Sequence, residues 1–283
     1  MDNDFFTLKT DHFTIEGRSR AGHESWFRIR ELNVGLDIGR GPDALVGIPD
    51  ILVSHAHLDH SVGIPFWAGQ RRLQRLPPGR LYVPEETADD FRELMAIHSR
   101  LEKTQYDIEI IGMAPGESHP LRRPWTVRAH DSSHRVPSRA WELIERRHHL
   151  RKEYKGLDRQ ALESLRQQGI PIADETDHSM LFYTGDTDRG ILETNDALFH
   201  SEVLMIECSF VLDEHHAKAA TYRHIHVDDL ADFADRFENK LIVLTHFSRR
   251  YSHEELAQEI GARLPKMLRE RIRLGLPEPW QRI

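Results

Sequence analysis

Residues 52–63, LVSHAHLDHSVG, place three histidines and one aspartate within six positions directly after an apolar run. Imidazole nitrogens and carboxylate oxygens are common ligands of Zn²⁺ and related ions. Because alternate residues of an extended segment face the same side, His55 and His57 can reach one ion together. If the chain then turns, Asp59 and His60 can face a second ion. The string predicts part of a binuclear metal site, whose other ligands must come from elsewhere.

Three later segments offer the missing ligands. They are AHDSSHRVPS (129–138) with His130 and His134, YTGDTDRG (183–190) with Asp186, and LIVLTHFSRRY (241–251) with His246. Asp186 lies between an apolar strand and a turn, a suitable position for a carboxylate that bridges two ions. Each residue alone could form a turn or fill a core, but their joint occurrence indicates one shared site.

Short apolar runs alternate with helix-like segments, which predicts an α/β fold with buried sheets. The candidate strands cover 26–32, 34–39, 50–55, 80–84, 125–130, 179–185, 203–210 and 240–247. The candidate helices cover 85–101, 141–152, 158–168, 226–238 and 252–271. Four of the strands end in a residue able to bind metal: His55, Asp186, Glu207 and His246. Strand ends on a rigid sheet are where α/β folds place their sites.

Composition limits the setting in which this site works. No apolar run reaches the roughly 18 residues of a membrane span, so no membrane association is predicted. The acidic start, MDNDFFTLKT, lacks the basic and apolar regions of a signal peptide. Cys208 is the only cysteine, which excludes an internal disulfide and fits a reducing compartment. These features together predict a cytoplasmic protein.

The net charge of -8 means that contact with a polyanion requires a local basic patch. Residues 145–169 offer one, with seven Arg and Lys against four Asp and Glu. This segment could contact phosphates, or it could be a solvated pair of amphipathic helices. The sequence is compatible with both interpretations.

Six motifs resemble those of the metallo-β-lactamase superfamily in their order along the chain: SHAHLDH, HRVPS, YTGDT, ECSF, RHIH and LTHFSRRY. LTHFSRRY and the pair of ECSF with a later histidine are similar to the ribonuclease Z (tRNA 3′ processing endonuclease) branch. The resemblance runs from about residue 36 to 251. It implies an αββα sandwich of two mixed sheets flanked by helices, with metals at one edge. We expect one domain over 1–283, with a basic substrate-contacting insertion over 141–170.

Carried over residue by residue, the resemblance implies a complete site. His55, His57 and His134 would hold one metal, Asp59, His60 and His246 would hold the other, and Asp186 would bridge them. HRVPS matches the family motif, so His134 is preferred to His130. Glu207 resembles the glutamate of the H-E-A-T motif of the family, and His224 the histidine of its H-S-T motif. His226, two residues further on, could take that last role instead.

The resemblance implies a binuclear metal-dependent phosphodiesterase, a ribonuclease Z-like endonuclease that acts on tRNA 3′ ends. Two divalent ions are expected, Zn²⁺ first and Mn²⁺ or Fe as alternatives. A metal-bridging hydroxide oriented by Asp59 would attack phosphorus, and His224, held by Glu207, would protonate the departing 3′ oxygen. The expected partner is RNA, such as a tRNA precursor, or another phosphodiester; the family also implies a homodimer.

Two alternatives stay open. One is a hydrolase of the same fold that acts on another small phosphodiester or a thioester. The other is an RNA-binding relative that retains the fold without activity. The chain lacks the glycine-rich start and P-T-x-x-R-N-type motif of ribonuclease Z, and it has HLDH in place of HGDH. These departures lie in regions that shape the substrate site.

Overall fold

The computed structural model describes residues 5–283, in which two seven-stranded sheets pack face to face. The strands of the first sheet are neighbours in chain order, antiparallel from β1 to β4 and parallel from β4 to β7. They are β1 (Phe6–Lys9), β2 (Thr14–Arg20), β3 (Glu24–Ile29), β4 (Val34–Ile38), β5 (Asp50–Leu52), β6 (Gly79–Pro84) and β7 (Ile108–Met113).

The second sheet repeats this plan with the other half of the chain. Its strands are antiparallel from β8 to β11 and parallel from β11 to β14. They are β8 (Ser118–Pro120), β9 (Trp125–Asp131), β10 (Arg139–Leu150), β11 (Ala173–Tyr183), β12 (Val203–Glu207), β13 (Leu241–Thr245) and β14 (Ile272–Leu274).

Helices cover the outer face of each sheet. On the first sheet these are α1 (Asp43–Val46), α2 (Leu58–Ser61), α3 (Ile64–Leu73) and α4 (Ala88–Glu102). After α5 (Arg159–Gln167), which lies between β10 and β11, the second half of the chain contains α6 (Gly190–Thr194), α7 (Ala197–His200), α8 (His216–Tyr222), α9 (Val227–Asp232), α10 (His253–Arg263) and α11 (Lys266–Arg269).

Strand periodicity sorts the apolar residues into three cores. Leu52 faces the core between the sheets, whereas its neighbours Ile51 and Val53 face the helices on the first sheet. Val243 and Leu244 divide in the same way between the inter-sheet core and the helices on the second sheet. The alternation follows from the two-residue period of a strand. The αββα sandwich expected from the sequence is confirmed.

The helix predicted over 141–152 is wrong, because this segment is most of β10. Trp141 and Leu143 alternate into the inter-sheet core, which a helix could not arrange. Beyond Glu145 the strand continues only as a pair with β11, from Arg146↔Asp177 to Leu150↔Ala173. The charged pattern resembles a helix surface locally, but the cross-strand pairs with a distant acidic segment decide its conformation.

The helix predicted over 252–271 breaks into two. Its start is as expected, since Ser252 and Glu255 form a capping box. It ends at Arg263, where Leu264 is extended before Pro265, as residues before proline tend to be. The helix predicted over 226–238 likewise ends at Asp232 and continues only as a short 3₁₀ turn at Ala234–Arg236.

The carboxyl ends of β5, β12 and β13 meet at one edge, where the two sheets also touch. His55 forms an isolated bridge with Ser138, and Arg20 forms one with Phe247. Polar residues that follow these strands are therefore brought together. Within residues 5–283, no helix has the length and apolar character needed to cross a bilayer.

Candidate metal centre

The structure brings together all seven side chains predicted as metal ligands, in two groups. In the first group, ligand atoms of His55, His57, His134 and Asp186 all lie within 4.8 Å of one another. His55 Nε2 is 2.9 Å from His57 Nδ1, and His134 Nε2 is 3.3 Å from the same atom. In this group His57 presents Nδ1 and the other two histidines present Nε2.

The second group contains Asp59, His60 and His246, which satisfy the same 4.8 Å limit. His60 Nε2 and His246 Nε2 are 3.4 Å apart, and each lies 3.3 Å from Asp186 Oδ1. The other oxygen of that carboxylate, Oδ2, lies 3.7 Å from His55 Nε2 in the first group. Asp186 therefore presents one oxygen to each group, which is the geometry of a bridging carboxylate.

The residues present fit a pair of divalent ions. Asp186 is 3% exposed, and its Oδ1 is buried without a hydrogen-bond partner. A buried carboxylate oxygen without a partner is costly, and a cation would satisfy it. Three or four nitrogen and oxygen donors converge on each position, a set that suits Zn²⁺ and also accepts Mn²⁺ or Fe²⁺.

Hydrogen bonds from outside hold four of the histidines in the tautomer that a ligand needs. His55 Nδ1–H donates to Ser54 Oγ, and His60 Nδ1–H donates to Asp37 Oδ2. His134 Nδ1–H donates to the Arg223 carbonyl, and His246 Nδ1–H donates to Ser209 Oγ. Each Nε2 is then directed inward, as is usual for ligating histidines. The carboxylate of Asp59 is held as well, because the Gly22 N–H donates to its Oδ2 at 2.8 Å.

Asp37 is a functional residue that the sequence analysis missed. It is fully buried and accepts hydrogen bonds from Ser54 N–H, Ser54 Oγ–H, His60 Nδ1–H and Tyr183 Oη–H. Through Ser54 it also orients His55, so one carboxylate aligns a histidine of each group. A signal existed: Asp37 sits near the end of β4, directly before Ile38 and Gly39, and is thus a fifth polar residue near a strand end.

The charges of the site suit cation binding. Burial lowers the pKa of His55, His57 and His134, which keeps their lone pairs free for a metal. Burial would raise the pKa of Asp186, but His246 and His60 outweigh it and hold this pKa well below the ordinary value. Burial would also raise the pKa of Asp59, but the hydrogen bond with His246 and the charge of His60 outweigh it and lower this pKa to about 2. Both carboxylates are ionised at neutral pH.

His60 differs from the other histidines. Burial lowers its pKa, but Asp186 and Asp37 raise it well above 6.5. An ion that binds His60 must therefore displace a proton, which makes occupancy of the second group the more pH-sensitive.

Glu207 and His224 form a pair beside both groups. His224 Nδ1–H donates to Glu207 Oε1 at 2.7 Å, and Glu207 also accepts from the Thr187 N–H and the Ser209 hydroxyl. Burial lowers the pKa of His224, but the Glu207 carboxylate outweighs it and raises this pKa to about 9. His224 is thus held as a protonated imidazole at the edge of the candidate metal centre.

The two competing histidines point elsewhere. His226 caps α9: its Nδ1 accepts from the Asp228 N–H, and its Nε2 lies 3.1 Å from the Leu212 carbonyl. His130 Nε2 is 2.8 Å from Glu142 on the neighbouring strand. The structure therefore brings His134 rather than His130, and His224 rather than His226, to the candidate metal centre.

Known proteins are similar to this chain over most of its length. The model of the "Beta-lactamase superfamily domain" matches residues 38–247. tRNase Z TRZ1 of Arabidopsis thaliana is 31% identical over 271 residues, covering 94% of this chain and 95% of that protein. The chloroplastic tRNase Z TRZ2 of the same plant is 32% identical over 260 residues, covering 89% and 72%.

Solved structures show the same architecture. Human tRNase Z, short form, superposes with a TM-score of 0.59 at 20% identity, covering 83% of this chain and 92% of that one. The metallo-β-lactamase fold protein YhfI from Bacillus subtilis gives 0.61 at 14% identity, covering 87% and 90%. The chain belongs to the metallo-β-lactamase superfamily and, within it, to the ribonuclease Z branch. The family and enzyme class expected from the sequence, a metal-dependent hydrolase, are confirmed.

Replacement of Asp37 tests whether this carboxylate organises the histidines. Asp37→Ala would leave buried donors of Ser54, His60 and Tyr183 unpaired, so we expect a loss of about 3 kcal/mol or more in the free energy of unfolding. Tyr183→Phe removes only one of these bonds and should cost about 1 kcal/mol. Urea unfolding in the presence of a chelator measures the free energy of unfolding of both variants without a contribution from bound metal. Equal costs for the two variants would show that Asp37 does not organise the histidines.

Proposed function

We propose that this protein is a binuclear metal-dependent endoribonuclease that cleaves tRNA precursors at the 3′ end. The observation that carries the proposal is the position of Asp186, with one oxygen facing each of two histidine groups at the sheet edge. The ribonuclease Z relatives support the RNA substrate. The intact ligand sets and the Glu207–His224 pair favour catalysis over a purely RNA-binding role.

We propose that His55, His57 and His134 hold one ion and Asp59, His60 and His246 the other, with Asp186 between them. When bound, such a pair supplies Lewis-acid stabilisation of negative charge and lowers the pKa of water. Zn²⁺ is the proposed metal, with Mn²⁺ and Fe²⁺ as alternatives.

The remaining residues position groups and transfer a proton. Asp59, fixed by the Gly22 N–H, orients the attacking water. His224 donates a proton to the departing 3′ oxygen, and Glu207 keeps His224 protonated and directed at the reacting centre. Ser209 connects this pair to His246, because its hydroxyl lies 2.6 Å from Glu207 Oε2 and 3.0 Å from His246 Nδ1.

The arm, defined as residues 146–178, projects from the edge of the sandwich opposite the metal centre. β10 begins at Arg139, next to Ser138, which pairs with His55. At about 3.3 Å per residue, Leu150 lies roughly 35 Å from Arg139. An arm at this distance can contact a distant part of a large substrate such as tRNA, but it cannot contact a small phosphodiester at the metals.

The arm has seven Arg and Lys against six Asp and Glu, and its single excess positive charge lies in the tip, defined as residues 152–168 between the paired strands. Along the paired strands, Arg146 and Arg151 form ion pairs with Asp177 and Asp174 of β11. With Glu175, these carboxylates equal in number the three arginines of the paired strands, Arg146, Arg147 and Arg151, so this stalk of the arm is neutral. Four cations of the tip have no ion-pair partner among the described residues, and three carboxylates lie in the same segment: Lys152, Lys155, Arg159 and Arg166 against Glu153, Asp158 and Glu163. We propose that the tip contacts phosphates.

The decisive test compares a tRNA precursor carrying a 3′ trailer with a chromogenic phosphodiester. We expect the metal-loaded protein to cleave the precursor at the base of the trailer, and chelation or Asp186→Ala to abolish cleavage. Hydrolysis of the chromogenic ester alone would support the alternative of a small-phosphodiester hydrolase. Activity that survives chelation and Asp186→Ala would contradict the metal mechanism.

Variants of the arm supply a control within this assay. The double substitution Lys152→Ala and Lys155→Ala should raise the KM for the precursor. It should also reduce the slope of the logarithm of the binding constant against the logarithm of the salt concentration, by about one for each phosphate that the arm no longer neutralises. Arg146→Ala, in the neutralised stalk, should change the KM less. If both variants bind the precursor as the wild type does, the tip does not contact RNA.

The pH dependence tests His224. Its raised pKa keeps the acid form fully present at neutral pH, and this form is lost as the pH rises through about 9. Glu207→Gln should lower this pKa towards 6.5, so the alkaline limb of kcat/KM for the precursor should move to lower pH. A p-nitrophenyl ester, whose leaving group needs little protonation, should show a smaller shift. An unmoved limb for the precursor would exclude His224 as the acid.

A homodimer is proposed from an apolar surface on the first sheet's helices. Seven large apolar side chains on or beside α2, α3 and α4 are exposed: Leu58, Val62, Phe66, Leu73, Leu94, Ile97 and Leu101. Apolar patches of this kind mark interfaces. Sedimentation should show a dimer that dissociates in Phe66→Glu with Leu73→Glu, but not in Leu157→Glu on the arm. A monomeric wild type would contradict the proposal.

The cytoplasmic location stays a prediction. Two relatives are named for other compartments, the chloroplast and the nucleus.

A further inference from the structure

A pocket of about 500 Å³ opens beside the candidate metal centre, on the side of His224. We call it the His224 pocket. Besides a backbone turn at Ala21 and Gly22, the side chains that define its character are Phe210, Tyr222, His224, Ser248, Arg249 and Arg250. Neither the metal centre nor the arm accounts for this combination of two arginines and two aromatic rings.

The charge of the pocket is opposite to that of the whole chain. None of the described residues that line it is Asp or Glu, although the chain contains 46 of them and has a net charge of -8. Arg249 and Arg250 are both exposed. Arg250 donates to Ser248 Oγ at 3.1 Å, whereas Arg249 has no hydrogen-bond or ion-pair partner among residues 5–283. The pocket is suited to an anionic group such as a phosphate.

The aromatic residues provide a second kind of surface. Phe210 is buried, and its ring centroid lies 6.2 Å from that of His224. Tyr222, the last residue of α8, leaves 45% of its surface exposed. An exposed aromatic ring next to cations is the arrangement on which single-stranded nucleic acid bases stack.

Both walls of the pocket form hydrogen bonds with candidate metal ligands. On one wall, the Arg223 carbonyl accepts from His134 Nδ1–H, and the Arg223 guanidinium donates to the His134 carbonyl at 2.8 Å. Tyr222 directly precedes Arg223, so its backbone is held close to His134. On the other wall, the Gly22 N–H donates to Asp59. The pocket thus has a set position relative to the reacting atoms.

We propose that the His224 pocket binds the nucleotide whose 3′ oxygen is the leaving group, with its base on Tyr222 and its 5′-phosphate on Arg249 and Arg250. This inference rests on the proposed function, in which His224 protonates that oxygen and must be next to the nucleotide that carries it. Stacking tolerates any base, so the pocket selects a nucleotide rather than a sequence.

Calorimetry on the metal-loaded protein tests the inference with adenosine 5′-monophosphate and ribose 5-phosphate. These probes share the phosphate and differ only in the base. We expect the nucleotide to bind about tenfold more tightly than the sugar phosphate. Tyr222→Ala should remove most of this difference and leave ribose 5-phosphate binding unchanged, while Tyr222→Phe should retain it. Arg249→Gln should weaken both probes at least severalfold.

Tyr106→Ala, which removes a tyrosine between α4 and β7 on the other half of the sandwich, is the matched control and should bind both probes as the wild type does. Equal affinities for the two probes, or a Tyr222→Ala variant that binds the nucleotide normally, would overturn the inference. If the same preparation still hydrolyses the chromogenic phosphodiester, the proposed function survives that failure. Loss of all phosphodiester hydrolysis in the metal-loaded wild type would instead overturn the proposed function, and this role of the pocket with it.

Discussion

The carboxylate of Asp186 is the constraint on which the arrangement of the site depends. It lies buried at the edge where the two sheets meet, with one oxygen facing His55 and the other facing His60 and His246. A charge removed from water in this way is tolerated only if cations surround it. Two groups of histidines drawn from both sheets surround this carboxylate, and their inward-facing nitrogens can hold such cations beside it. The same condition makes the position between the groups suitable for two metal ions.

Orientation of these side chains depends on residues that contact no metal position. Asp37 fixes His60 directly and His55 through Ser54, and Ser209 relates His246 to Glu207. Asp37 and His246 both have positive φ angles, of 54° and 57°, which non-glycine residues rarely adopt. These conformations occur where β4 and β13 end, and the surrounding hydrogen bonds hold them in place.

Charge is distributed unevenly over the molecule. The chain is acidic, yet the stalk of the arm is neutralised by its own cross-strand pairs, and a small excess of cations remains at the arm tip and in the His224 pocket. These two places lie at opposite ends of the second sheet. An acidic protein can bind a polyanion when its positive groups are concentrated in this way, because local fields act over about a Debye length.

The sequence by itself determined the identity and order of the metal-binding candidates, because each lies in a short motif beside an apolar strand. It also determined the layered α/β fold, since buried strands and covering helices have different hydrophobic periods. Only the tertiary structure decided that 141–152 is a strand, that Asp37 aligns two histidines, and that His224 rather than His226 meets Glu207. Each of these outcomes depends on contacts between residues far apart in the chain, such as Arg146 with Asp177 or Glu207 with His224, which local patterns do not contain.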